Sequence, residues 1–97
     1  MKRKLPLNVA VVGAGASGLD HIESFQGHPS ARVVALAETN PERGREAASR
    51  FGVPDVYSDY RDLLAKTDID IVSIALPNFL HAPVSLDVLG AGKHLMI

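Results

Sequence analysis

The sequence predicts an α/β protein in which a doubly wound parallel sheet of about five strands is covered by helices on both faces. Five apolar runs alternate with helix-like segments along the 97 residues, and this alternation is typical of parallel sheets. A glycine-rich turn follows the first run, and an acidic residue follows the second. The chain stops within the fifth run, so we expect the sheet to be truncated after about five strands.

The first two strands are predicted from continuous apolar runs. Val9–Val12 is apolar throughout and ends at a glycine, which indicates a buried central strand. Apolar residues then recur at near-helical spacing up to a Gly-x-Pro stop, so a helix is expected over Ala16–Gln26. The run Val33–Ala37 is the second strand, and the three segments together form a crossover unit.

The middle of the chain contains a second helix and a shorter, weaker strand. Asn40 precedes a proline, and an Asn cap followed by proline at the first helical position starts a helix without loss of a hydrogen bond. Gly52 ends this helix. Val53–Tyr57 is predicted as the third strand, and Ser58 or Asp59 caps a short helix after it.

The last third of the chain repeats the same alternation. The apolar run Ile69–Leu76 is predicted as the fourth strand and is halted by a proline. A helix is expected over about His81–Leu89, where Pro83 is tolerated because an amide in the first turn has no partner within the helix. His94–Ile97 is predicted as the fifth strand.

Composition excludes several classes of function. The net charge of −1 and the scattered acids argue against nucleic-acid binding, which requires a clustered basic face. The basic run at residues 2–4 is interpreted as a solvated terminus. No apolar run is long enough for a membrane span or a secretory signal, and the chain has no cysteine. We therefore expect a cytoplasmic protein without disulfides or membrane association.

Two kinds of catalytic site are also unsupported by the sequence. The four histidines lie far apart in the sequence, whereas a metal site needs several ligands at helical or loop spacing. No serine lies on a nucleophile elbow with histidine and acid partners. We therefore expect no metal, and we assign no catalytic residue in this chain.

The strongest motif lies directly between the first strand and the first helix. Three glycines at this point serve a tight turn, close approach of a pyrophosphate, and close packing of helix on sheet. A pyrophosphate there meets free backbone amides at the positive end of the helix dipole. The motif indicates a Rossmann-type dinucleotide-binding site formed by Gly13, Ala14, Gly15, Ala16, Ser17 and Gly18.

Glu38 is the acid expected of such a site. It follows the second strand, twenty residues after Gly18, where a carboxylate accepts hydrogen bonds from the adenosine ribose and repels a 2′-phosphate. NAD is therefore predicted over NADP, with Thr39 and Arg43 as neighbouring cofactor-binding candidates. Two alternatives stay open: Glu38 is a solvated acid at a strand end, or Arg43 and Arg45 reach a phosphate if Glu38 turns away.

A second group of candidates follows the fourth strand. Leu76, Pro77, Asn78 and His81 lie where the carboxyl edge of the sheet is expected, and ligands of open α/β sheets bind outside that edge. From chemistry alone, Asn78 is equally well explained as a helix cap and His81 as a surface histidine. His21, inside the first helix, is expected to pack or to bond locally.

These residues together resemble the N-terminal domain of the glucose-fructose oxidoreductase and inositol dehydrogenase family, Gfo/Idh/MocA. The resemblance is carried by the glycine motif with His21, by Pro-Asn-x-x-His from Pro77 to His81, and by Gly-Lys-His from Gly92 to His94, with further matches at Glu38-Thr39-Asn40-Pro41, Ser58-Asp59-Tyr60 and Asp70-Ile71-Val72. It implies that Leu76, Pro77, Asn78 and His81 lie along the cofactor.

The resemblance also implies what residues 1–97 lack. Family members continue into a Glu-Lys-Pro step with a catalytic lysine and then into a substrate domain, and Lys93 is not that lysine. The first hypothesis is therefore an incomplete NAD-binding domain of an oxidoreductase that transfers hydride between nicotinamide and a sugar, inositol or polyol, inactive by itself. The alternative is a stand-alone nucleotide-binding or interaction module that self-associates through an exposed sheet edge.

Overall fold

A computed structural model describes residues 5–97, apart from the side chain of Asn78. The basic run at residues 2–4 lies outside this range. A single five-stranded sheet forms the centre, in the order β3-β2-β1-β4-β5, and every neighbouring pair is parallel. The predicted α/β fold with a buried central first strand is confirmed.

Strands and helices alternate along the whole described chain. The elements are β1 Leu7–Val12, α1 Ala16–Gln26, β2 Ala31–Ala37, α2 Pro41–Phe51, β3 Asp55–Tyr57, α3 Tyr60–Leu64, β4 Ile71–Ile74, α4 Asn78–Gly90 and β5 His94–Met96. None of the helices in residues 5–97 combines the length and apolarity that crossing a membrane requires.

The helices cover both faces of the sheet and give the molecule two apolar cores. On one face α1 and α2 pack Ile22 and Ala47 against Val11 and Leu36. On the other face α3 and α4 cover the sheet, and their buried side chains are Leu63, Leu64, Val84 and Val88. The alternating directions of the strand side chains supply both cores. This is the doubly wound arrangement expected of the sequence.

The caps of α2 and α3 determine where the following elements begin. The Asn40 side chain accepts from the Arg43 amide, and Gly52 ends α2 at a φ of 67°, as predicted. Asp59 rather than Ser58 caps α3. Because α2 ends in this left-handed turn, Val53 is buried and β3 begins only at Asp55, not at Val53.

The fourth helix differs from its prediction in a physically informative way. It begins at Asn78, three residues before the predicted start, because Pro77 occupies the N-cap position. Pro83 therefore lies in the second turn, not the first, and leaves the Phe79 carbonyl without its helical donor.

Strands β1 and β2 begin two residues earlier than predicted, since Leu7 pairs with Ala31. The strand β4 is limited to 71–74, and β5 ends at Met96.

The strand order reverses beside β1, and the backbone is most crowded at this point. Gly13 follows β1 at a φ of 103°, and a Cβ there would lie 2.5 Å from the Ala75 carbonyl oxygen. A Cβ on Gly18 would lie 2.0 Å from the Gly13 carbonyl oxygen, whereas one on Gly15 would meet nothing within 4 Å. Gly13 and Gly18 are thus required by close backbone packing, whereas the absence of a side chain at Gly15 leaves open space beside the turn.

Replacing Gly18 by alanine should therefore destabilise the fold, because the obstructing atoms belong to backbone that cannot rotate away. We expect Gly18→Ala to lower the free energy of unfolding by about 3 kcal/mol, measured by urea denaturation. Gly15→Ala is the matched control and should cost about 1 kcal/mol or less, the difference between glycine and alanine at an N-cap. Equal losses in the two variants would contradict this account.

Candidate functional site

The turn between β1 and α1 presents free backbone amides to solvent. The Gly13 amide donates to the Ala37 carbonyl at 2.8 Å, and the first bond of α1 runs from the Leu19 amide to the Gly15 carbonyl at 2.9 Å. The amides of Ala16 and Ser17 precede that bond and have no carbonyl within the helix. They lie at the positive end of the α1 dipole. This geometry can bind an anionic group without any charged side chain.

Glu38 bridges the end of β2 to the glycine turn. Its Oε1 accepts from the Ala14 amide at 2.8 Å, and its Oε2 accepts from the Asn40 amide at 2.9 Å. The Glu38 side chain is only 8% exposed, and the Arg43 guanidinium lies 4.0 Å from Oε1. The alternative of a freely solvated strand-end acid is therefore wrong. The Ala14 amide is already occupied, which leaves the following amides for a ligand.

These contacts keep the Glu38 carboxyl ionised. Burial by itself raises the pKa, but the backbone amides of Asn40 and Ala14, followed by the charge of Arg43 and the Thr39 hydroxyl, outweigh it. The net pKa of Glu38 is lowered from its ordinary value of 4.5. The site thus holds a fixed negative charge beside the glycine turn near neutral pH.

A cleft of about 380 Å³ opens at the carboxyl ends of β1, β2 and β4. One part of its wall is polar and carries Glu38, Thr39 and Arg43, and the rest is largely apolar. Its lining consists of Val12, Gly13, Gly15, Ala37, Glu38, Thr39, Arg43, Ser58, Tyr60, Ala75, Leu76, Pro77, Leu80 and Val84. The cleft lies at the reversal of strand order, where open α/β sheets bind ligands.

The structure places the candidates after β4 in different positions. Leu76 and Pro77 line the cleft, whereas the Asn78 side chain lies outside the described part of the chain. Asn78 does not occupy the N-cap position, which belongs to Pro77. The Nε2 of His81 lies 2.6 Å from the Leu76 carbonyl oxygen. Because a carbonyl can only accept, Nε2 carries the proton, and His81 supports the cleft wall instead of lining it.

The candidates near Glu38 differ in how close they come to the cleft. Thr39 lines it, and its hydroxyl lies 3.4 Å from Glu38 Oε2. Arg43 also lines it, although the Arg43 side chain is 55% exposed. Arg45 is exposed on α2 and does not line the cleft. Of the two arginines, only Arg43 is positioned to approach a phosphate there.

Seven lining residues were not singled out from the sequence as site residues: Val12, Ala37, Ser58, Tyr60, Ala75, Leu80 and Val84. The apolar members follow ordinary core patterns, so periodicity assigns them to packing. Leu80 and Val84 are four residues apart on α4 and share its sheet-facing side. The family resemblance already included Ser58-Asp59-Tyr60. The position of this segment directly after β3, at the carboxyl edge of the sheet, could have indicated that Ser58 and Tyr60 line the cleft.

Two other polar residues have structural partners instead of ligands. The Nδ1 of His21 lies 2.7 Å from the Ser73 hydroxyl on β4. Of the two expectations for His21, the structure therefore shows packing of α1 against the sheet and not a local bond. Lys93 is buried, and its Nζ donates to the Lys66 and Ile69 carbonyls at 2.5 and 3.3 Å. Within residues 5–97, no three His, Cys, Asp or Glu side chains converge on a metal position.

This arrangement corresponds to a known protein family. Residues 7–97 match the Gfo/Idh/MocA family of oxidoreductases with an NAD-binding Rossmann fold. The chain belongs to this family. The predicted resemblance, which rested on the glycine motif and the Pro-Asn-x-x-His step, is confirmed.

Two dehydrogenases are among the relatives with similar sequences. Levoglucosan dehydrogenase of Pseudarthrobacter phenanthrenivorans is 38% identical over 99 residues, covering 93% of this chain and 25% of that protein. Inositol 2-dehydrogenase of Burkholderia multivorans is 36% identical over 92 residues, covering 92% of this chain and 27% of that protein. The chain thus spans about a quarter of the length of the relatives it matches.

Solved structures of family members show the same fold with cofactors bound. Levoglucosan dehydrogenase in complex with NADH has a TM-score of 0.85 and 37% identity, covering 92% of this chain and 26% of that one. A biliverdin reductase from a Synechocystis species, in complex with biliverdin and NADP⁺, has a TM-score of 0.86 and 30% identity, covering 93% of this chain and 28% of that one. The fold therefore accommodates either dinucleotide.

The ionised Glu38 should make stability depend on pH. Because its pKa in the folded chain lies below the ordinary value of 4.5, ionised Glu38 stabilises the fold above that pH. This contribution is lost as the pH falls through the folded-state pKa. We expect Glu38→Gln to cost about 1 to 2 kcal/mol of unfolding free energy near neutral pH.

Urea denaturation of both proteins across the acidic range tests this expectation. The difference in stability between wild type and Glu38→Gln should shrink as the pH falls well below 4.5, the ordinary value. Glu23→Gln is the matched control, since Glu23 is exposed on α1. A stability difference that is independent of pH would show that the ionised carboxylate contributes nothing specific.

Proposed function

We propose that the chain binds NAD, with the pyrophosphate on the amides of Ala16 and Ser17 and the adenosine ribose on Glu38. One observation carries this proposal: the Glu38 carboxylate is fixed 2.8 Å from the Ala14 amide of the glycine turn. A pyrophosphate on the turn and a ribose diol on the carboxylate are neighbouring parts of one dinucleotide. The cleft beyond Glu38 then receives the rest of the adenosine.

The charge of Glu38 supports NAD over NADP. Each oxygen of its carboxylate accepts from a backbone amide, and both bonds must break before the side chain can turn away. A 2′-phosphate on the ribose therefore meets a fixed negative charge. The exposed Arg43 offsets that repulsion only in part, because its guanidinium already lies 4.0 Å from Glu38.

The wider activity that we propose is that of a nicotinamide-dependent oxidoreductase acting on a sugar, inositol or related polyol. Support comes from family membership and from the levoglucosan and inositol dehydrogenases among the relatives. Residues 1–97 correspond to about a quarter of the length of those relatives and contribute the dinucleotide-binding part of this activity. The titratable side chains that line its cleft, in the described part of the chain, are Glu38, Arg43 and Tyr60. We assign none of them to hydride chemistry, so we expect no turnover by this chain alone. A cytoplasmic location remains a prediction from the sequence.

Calorimetric titration with both dinucleotides tests the proposed function. We expect NAD to bind at least about tenfold more tightly than NADP, equivalent to about 1.4 kcal/mol. Glu38→Gln should narrow this ratio, because it removes the repelling charge. Gly15→Ala should weaken both ligands while the chain stays folded, because its methyl group occupies the open space of the anion site. Glu23→Gln should leave both affinities unchanged. Absence of NAD binding by wild type would refute the proposal.

A second candidate function is self-association through the β5 edge. Among the described strands β5 pairs only with β4, so one side of its backbone is free to pair with another chain. Met96 and Ile97 are 49% and 66% exposed beside it. Apolar side chains next to free strand edges favour pairing between copies, and we propose a homo-oligomer formed at this edge.

Analytical ultracentrifugation over a wide concentration range tests self-association. We expect the sedimentation coefficient to rise with concentration, and Met96→Lys to shift the equilibrium towards monomer. Leu86→Lys is the matched control, because Leu86 is 69% exposed and belongs to α4, not to the β5 strand. A monomer at every concentration would exclude this second candidate, and equal effects of both variants would exclude the β5 edge as its location.

A further inference from the structure

One hydrogen bond crosses the outer side of the cleft and has no role in the proposed function. The Tyr60 hydroxyl on α3 donates to Oδ2 of Asp87 on α4 at 2.5 Å. The Tyr60 ring lines the cleft together with Leu80 and Val84 of α4. Buried side chains of both helices, Leu63 and Leu64 of α3 and Val84 and Val88 of α4, belong to the same apolar core. The bond is thus a direct link between the two helices that border the apolar part of the cleft.

Asp87 is in an unfavourable position for helix stability. It lies in the last turn of α4, which has no basic residue, and the negative end of the helix dipole disfavours an acid there. Within residues 5–97, the hydrogen bond that the Asp87 side chain makes is the one from the Tyr60 hydroxyl. Asp87 therefore contributes more to the arrangement of α3 and α4 than to the stability of its own helix.

The bond restricts the hydroxyl end of the Tyr60 ring, whose other contacts leave the side chain only partly buried. The α3 helix has five residues, and Tyr60 is only partly buried against the core. The Arg61 guanidinium lies 5.6 Å from the ring centre, but Arg61 belongs to the same short helix. Asp87 is therefore the contact that fixes the hydroxyl end of the ring relative to α4.

We propose that Asp87 is a positioning residue for nucleotide binding: it holds the Tyr60 ring as the wall against which the adenine base packs. This inference rests on the proposed function, because it assigns the adenine to the apolar part of the cleft beyond Glu38. A planar base gains most from a wall that is already ordered, since less conformational entropy is lost on binding. Asp87 acts through the Tyr60 hydroxyl and does not itself contact the base.

The Tyr60 hydroxyl provides a spectroscopic signature of the bond. The hydrogen bond to Asp87, with burial and the charge of Asp87 adding to it, raises the pKa of Tyr60 above its ordinary value of 10.0. The chain has two tyrosines, so the Tyr57→Phe background isolates Tyr60. In that background, Asp87→Ala should lower the pH at which tyrosinate absorbance appears.

The decisive experiment is a double-mutant cycle on the full chain, with the dissociation constants of NAD and AMP measured by calorimetry. Tyr60→Phe and Asp87→Ala should each weaken both ligands about three- to tenfold, the range expected for one hydrogen bond. The double variant should be no weaker than either single variant, because both remove the same bond. Asp87→Asn restores an acceptor and should recover part of the affinity.

Controls separate this inference from folding and from the proposed function. Tyr57→Phe and Asp20→Asn remove a hydroxyl and an exposed charge away from the cleft and should leave both constants unchanged. Urea denaturation shows whether every variant is folded under the conditions of the titration. Wild-type binding with unchanged constants in Tyr60→Phe and Asp87→Ala, or additive losses in the double variant, would overturn the inference alone. Failure of wild type to bind NAD would refute the proposed function and this inference with it.

Discussion

The close approach of backbone to backbone where β1 ends is the constraint on which the rest of the site depends. Gly13 and Gly18 have no space for a Cβ, because the carbonyls of Ala75 and Gly13 occupy it. This contact draws α1 onto the sheet and aims its first amides at the cleft. The same contact brings the segment after β4 beside the turn. The free amides of the proposed anion site and the shape of the cleft therefore follow from one packing requirement.

Glu38 extends this constraint from shape to charge. Its carboxylate accepts hydrogen bonds from the Ala14 and Asn40 amides and so connects β2 to the glycine turn. The same carboxylate faces the proposed ribose. The two roles reinforce each other, because the bonds that hold the side chain in place also keep it ionised. A side chain held by two amides offers a ribose a fixed acceptor, so little entropy is lost when a ligand binds.

Family membership explains why the cleft has this architecture, and the relatives are longer than residues 1–97. The chain covers about a quarter of those proteins, and the polar groups that it brings to the cleft are suited to holding a dinucleotide. The apolar part of the cleft is bordered by α3 and α4, which meet through Tyr60 and Asp87. The proposed nucleotide site and the contact between α3 and α4 thus share the Tyr60 side chain.

Local sequence patterns were sufficient to predict the order of elements, the limits of α1, the cap of α2 at Asn40 and the location of the glycine turn. These features depend on apolar periodicity and on the backbone preferences of residues that are neighbours in the sequence. Three contacts became visible only in the folded chain: the bond from the Ala14 amide to Glu38, the bond between His81 and the Leu76 carbonyl, and the position of Tyr60 at the cleft. Such contacts join residues of separate elements, and their formation depends on how the helices pack on the sheet, which local patterns do not encode.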